Sequence, residues 1–137
     1  MKYIKAYESY GRGLENIEKV QLSKLAILKF AKNFRKLLKW YYDEEMEFNA
    51  EEKDYLHIAK YYLGWENSTL IKLMINNDLK IGISLIRNKN IEYMYEFLSH
   101  FFNMETYTIC NVEQLNKYAD TILDEFEIFL NSKKYNL

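Results

Sequence analysis

Residues 15–48 contain no glycine and no proline, and their apolar positions recur at Ile17, Val20, Ile27, Phe30, Phe34, Leu37, Leu38 and Tyr41. Spacing of three and four residues places these side chains on one face of a helix, so the stretch predicts one long amphipathic helix against which the rest of the chain packs. At about 100° per residue the other side carries Lys24, Lys29, Lys32, Arg35, Lys36 and Lys39 within one arc. Leu25 and Leu28 fall inside this basic arc and Trp40 at its margin, positions where a purely solvated face has no use for apolar groups.

Breakers are scarce throughout: the 137 residues hold no proline and four glycines, which favours long helices. This length fits one domain over residues 1–137 with a core of its own. Within it, residues 1–13, with glycine at Gly11 and Gly13, read as an irregular or short helical arm, and residues 132–137 as a frayed tail. After the long helix, Asn49 and Glu52 form a capping-box pattern that opens a second helix, with Tyr55, Ile58, Ala59 and Tyr62 inward and Gly64 at its end. Ser68 caps a short third helix carrying Leu70, Leu73 and Met74. Residues 79–87 fit either a strand or a helix; with no second strand to pair with, the helix is favoured. Tyr93, Met94, Phe97, Leu98 and Phe101 then mark a helix over residues 91–102. Asn111 and Gln114 form another capping box before a last helix to about residue 130, with Leu115, Tyr118, Ala119, Ile122, Phe126 and Phe129 inward. The expected fold is all-α, a bundle of five or six helices.

Net charge is −1, yet it is unevenly spread. Residues 1–40 hold ten Lys or Arg against three Asp or Glu, whereas residues 41–70 hold two against eight. Asp43, Glu44, Glu47 and Glu51 make an acidic patch that offers a second binding surface, or pair with lysines of a neighbouring element. Glu113, Asp120, Asp124 and Glu127 give the last helix an acidic outer face that could cover the basic one. Near-neutral net charge argues against a uniformly basic nucleic-acid binder. The thirteen tyrosines accompany an abundance of Lys, Asn and Ile expected of AT-rich coding, and support no ligand by themselves.

Catalytic constellations are missing. The sequence has no glycine-rich phosphate loop, no zinc-spaced cysteine pair and no HExxH. His57 and His100 each share a helix face with a carboxylate, Asp54 and Glu96, but neither pair has the spacing of a two-metal carboxylate site. The one cysteine, Cys110, reads as a buried free thiol, and no apolar run is long enough to cross a membrane. The chain is thus expected to be cytoplasmic, to need no metal or cofactor and not to be an enzyme. The expected function is stoichiometric binding of another protein, as by a toxin-immunity protein or antitoxin, through Lys24, Lys29, Lys32, Arg35, Lys36, Lys39 and Trp40. The alternative is a nucleic-acid-binding subunit of a ribonucleoprotein or defence complex using the same cations on a phosphate backbone.

Overall fold

In a computed structural model the backbone is described for residues 2–53, 58–65, 68–76, 80–87 and 92–135, and side chains for residues 17–52, 59–65, 68–76, 80–87 and 92–133. The elements run α1 (Lys2–Tyr42), β1 (Glu47–Lys53), β2 (Ile58–Trp65), β3 (Ser68–Ile75), β4 (Ile81–Leu85), α2 (Glu92–Phe101), β5 (Tyr107–Cys110) and α3 (Val112–Tyr135). The described residues therefore form an α+β fold, three helices with a five-stranded antiparallel sheet in the order β1-β2-β3-β4-β5, and the all-α bundle is overturned.

Helix α1 is continuous from Lys2, with Gly11 and Gly13 inside it. It ends at Tyr42, short of the expected residue 48, because Asp43 takes a left-handed conformation with φ 51°. Asp is one of the few non-glycine residues that tolerates this region, and the Asp43 and Glu44 amides donate back to the Lys39 and Leu38 carbonyls. Of the inward face the sequence marks, Val20, Ile27, Phe30, Phe34, Leu37 and Leu38 are buried, whereas Ile17 and Tyr41 are exposed. The chain then reverses, and the Arg35 Nε donates to the Met46 carbonyl at 3.0 Å, tying the helix to the start of β1.

The segments read as a second and a third helix are strands. Tyr61 pairs with Ala50 on one side and Leu73 on the other, and Leu73 pairs in turn with Ile83. This register lines up Ala59, Tyr61 and Leu63 with Ile71, Leu73 and Ile75 and with Ile81, Ile83 and Leu85, all buried on one face. The helices lie over that face, with α1 against β3 and α2 against β4. Lys60, Tyr62, Lys72, Met74 and Ser84 alternate with the buried set and stay partly exposed, as in an antiparallel sheet with one wetted side. Of the two readings of residues 79–87 the period-two one holds over β4; its neighbours are β3, read from the sequence as the third helix, and β5. Asn49 and Glu52 of the expected capping box lie within β1, while Tyr55 and His57 fall outside the described residues. Residues 107–110, between the expected helix over residues 91–102 and the capping box at Asn111, form β5, whose Cys110 pairs with Ile81.

A bulge between Leu63 and Gly64 shifts the β2–β3 register near the hairpin end. Gly64, expected to close a helix, sits so close to β3 that a Cβ there would lie 2.2 Å from the Ser68 carbonyl oxygen.

Helices α2 and α3 follow their sequence signals. Met94, Phe97 and Leu98 of α2, and Leu115, Ala119, Ile122 and Phe126 of α3, are buried. The capping box forms as expected: the Gln114 amide donates to the Asn111 Oδ1 at 2.8 Å and the Asn111 amide to the Gln114 Oε1 at 3.0 Å. Phe126 is the aromatic junction of the three helices, with ring centroids 5.0 Å from Tyr41 and 4.9 Å from Phe97.

Candidate functional site

The outward side of α1 carries the cations that the sequence singled out, but the fold divides them. Lys24 is drawn to the sheet, 3.3 Å from the Glu52 carboxylate, which also accepts the Tyr61 hydroxyl at 2.9 Å. Lys29 pairs with Asp120 of α3. Lys39 reaches Asp43 at 3.0 Å and Glu45 at 3.7 Å, and the hydrogen bond to Asp43 raises its pKa above the ordinary lysine value. Arg35 is held by its bond to Met46. Lys32 and Lys36 make no ion pair among the described residues; the Lys36 ammonium lies 5.4 Å from the centroid of the Trp40 ring, within cation–π range. The acidic face of α3 thus covers little of the basic arc: Lys29–Asp120 is the one described ion pair between α1 and α3.

Between these cations runs a much less polar strip. Leu22, Leu25, Leu28 and Trp40 are 56%, 62%, 48% and 64% exposed. Leu22 extends the strip by a turn beyond the sequence expectation; its place beside Leu25 on the helical wheel was the available signal. Scattered apolar side chains are normal on any surface, but four large ones on one helix face among the exposed Lys29, Lys32, Arg35, Lys36 and Lys39 form a patch of mixed character.

Where the chain turns back at residues 43–46, an open groove of about 650 Å³ forms beside this strip. Lys32, Arg35, Lys36 and Lys39 line it together with the apolar Leu28, Met46 and Phe48, and with Glu44 and Glu45. Phe48 is stacked on Tyr61 at 5.6 Å, so its ring is fixed by the sheet. The sequence did not point to Met46 or Phe48, because they meet α1 only once β1 folds back along it.

The alternative acidic patch is not one surface. Asp43 is engaged with Lys39 and Glu44 lines the groove. Glu47 and Glu51 occupy alternate positions of β1, on the face opposite the helices, where the Glu51 carboxylate lies 3.5 Å from the Tyr62 hydroxyl.

No group of three or more His, Cys, Asp or Glu among the described residues is placed to hold a metal ion. His100 lies exposed beside Lys117, Gln114 and Glu125 at a smaller cavity between the end of α2 and α3. Cys110 is buried, and desolvation pushes its pKa up to about 11 from 9.0. The thiol is thus held neutral. At pH 8 its thiolate fraction in the fold is roughly 100-fold below that of the unfolded chain, so iodoacetamide should label native protein at least about 100-fold more slowly than protein in denaturant. Because the folded pKa is the higher one, this group's contribution to stability is complete below pH 9 and is lost as pH rises towards 11. Equal labelling rates in the two states would contradict the burial.

No helix of the described residues is long and apolar enough to cross a membrane. The chain matches no known family model, no curated protein and no solved structure.

Proposed function

We propose that this protein is a stoichiometric, non-catalytic binder of another protein, acting as a cytoplasmic neutraliser in the manner of a toxin-immunity protein or antitoxin. It docks through the outward face of α1, between Leu22 and Trp40. The supporting observation is the exposure of Leu22, Leu25, Leu28 and Trp40 among Lys29, Lys32, Lys36 and Lys39. A phosphate backbone calls for the cations but gives no use to a row of leucines, whereas a protein interface combines an apolar centre, often with Trp, and a charged rim. The complementary surface is apolar with carboxylates around it. Lys32 and Lys36 are the cations best placed to meet those carboxylates, since neither has an ion pair among the described residues to break.

The test is affinity capture from cells that express the protein, with wild type beside two exposed-surface variants. Lys32→Glu with Lys36→Glu should weaken capture at least about tenfold, mainly through slower association, and Trp40→Ala should cost about 2 kcal/mol of binding. Both should leave the circular dichroism spectrum unchanged. Unaltered capture by both variants, or the absence of any stoichiometric partner, would remove the proposal. Binding to RNA that falls steeply with salt would instead favour the nucleic-acid reading.

A further inference from the structure

The two edges of the sheet differ in kind. β1, at one edge, carries Glu47, Glu51 and Glu52, like charges that a second copy of the strand would meet. β5, at the other edge, reads Tyr-Thr-Ile-Cys without a charge, and its Tyr107 and Ile109 are 47% and 50% exposed. Apart from its shortness, this strand has none of the features that blunt a sheet edge.

Hydrogen bonding shows which groups of β5 are open. The Leu85 amide donates to the Thr106 carbonyl at 2.9 Å, and Ser84 lies opposite Tyr107. Alternate residues of an antiparallel ladder face the neighbouring strand, so Thr106, Thr108 and Cys110 turn their backbone groups to β4. Tyr107 and Ile109 turn theirs to the free edge, where they bond no described residue. The run is closed at both ends, because the Glu105 carbonyl accepts the Tyr95 hydroxyl at 2.6 Å and the Asn111 amide donates to the Gln114 Oε1 at 3.0 Å. What stays open is two N–H and two C=O groups, placed symmetrically about Thr108.

We propose that β5 pairs with β5 of a second copy, antiparallel and centred on Thr108, joining two sheets in a two-fold symmetric dimer. In this register Tyr107 of each copy exchanges backbone bonds with Ile109 of the other, four in all. The Tyr107 ring then lies beside the Ile109 side chain across the dyad on the wetted face, a favourable cross-strand pair. That ring already sits over Gly82, where an added Cβ would come within 2.7 Å of its hydroxyl. Charge suits a second copy as well: Glu105, the nearest charge on the strand, falls opposite Asn111 and not against another carboxylate. A register centred on Tyr107 or Ile109 would instead set Ile109 against Glu105, or Tyr107 against Asn111, whose groups are engaged. The α1 groove lies beside β1, at the far edge, and stays open in the dimer.

Sedimentation equilibrium of the full chain between about 10 μM and 1 mM should show monomer and dimer, a weak association because so short a strand pair buries less than about 1,000 Å². Ile109→Pro removes an amide that points away from β4, so the fold keeps its ladder while the dimer loses two of its four bonds, and association should weaken at least about tenfold. Ile109→Glu keeps every backbone group and sets a carboxylate diagonal to Glu105 of the other copy, with a similar loss. Cross-linking reads the register in a Cys110→Ala background oxidised with copper phenanthroline. Thr108→Cys faces itself in a non-hydrogen-bonded pair, at a Cα separation of about 4.5 Å that a disulfide spans, and should give covalent dimer. Glu105→Cys, about 20 Å from its own copy along the strands, should not. Monomer at every concentration, association untouched by both Ile109 variants, or equal cross-linking of the two cysteine variants would overturn the pairing. Protein capture through the α1 face does not depend on it.

Discussion

Phe126→Ala is expected to remove about 3–5 kcal/mol of folding stability, the usual cost of deleting a large ring from a core that cannot collapse around the space. The ring is fully buried, and it is the contact through which the last turn of α1, the middle of α2 and the middle of α3 share one cluster: Tyr41 and Tyr42 approach it from α1, Phe97 from α2 and Phe129 from its own helix. A domain of this size has a total stability of about 5–15 kcal/mol, so this single change should consume much of it and lower the melting temperature by roughly 10 °C or more. Urea unfolding followed by tyrosine and tryptophan fluorescence measures it. The half-buried Phe129, replaced in the same way, should cost less. A loss under about 1 kcal/mol at Phe126 would mean that the three helices do not meet as described.

Gly64→Ala is expected to be comparably damaging, for a steric reason. The added Cβ would lie 2.2 Å from the Ser68 carbonyl oxygen and 2.7 Å from the Thr69 Cα, both backbone atoms of the paired strand that cannot swing aside. Relief requires the β2–β3 ladder to open beside its bulge, at about 3 kcal/mol or more. Gly82 provides the control. There a Cβ meets the Tyr107 hydroxyl at 2.7 Å and the Met74 Cγ at 3.1 Å, both on side chains at the partly open face of the sheet. Gly82→Ala should therefore cost about 1 kcal/mol. Chemical denaturation of the two variants side by side checks the contrast, and equal losses would contradict it.

The helices were legible because their signal is local. Phe30 and Phe34, Met94 and Phe97, or Leu115 and Phe126 declare a face through spacing along one segment, and the buried set of each helix matches that spacing. The strands were not legible for the converse reason. Ile58, Ala59 and Tyr62 satisfy helical spacing by coincidence, and the set that the fold buries is Ala59, Tyr61 and Leu63, in period two. A hairpin alone is marginal in water, so each strand makes sense only when its neighbours are strands too. Rejecting a strand at residues 79–87 for want of a partner thus followed from reading β3 as a helix and missing β5, and one error sustained the other.

The candidate site divides along the same line. The sequence by itself determined that Lys24, Lys29, Lys32, Arg35, Lys36 and Lys39 share a helix face with Leu25 and Leu28, because a helix converts residue spacing into direction. Which of those cations remain available was decided by tertiary structure. Folding back of β1 along α1 brings Glu52 to Lys24 and Met46 to Arg35, the turn at Asp43 occupies Lys39, and packing of α3 brings Asp120 to Lys29. Lys32 and Lys36 are left beside a groove whose apolar lining, Met46 and Phe48, comes from beyond the helix. Pairing of charges depends on distances between elements, and those distances exist only after the sheet has formed.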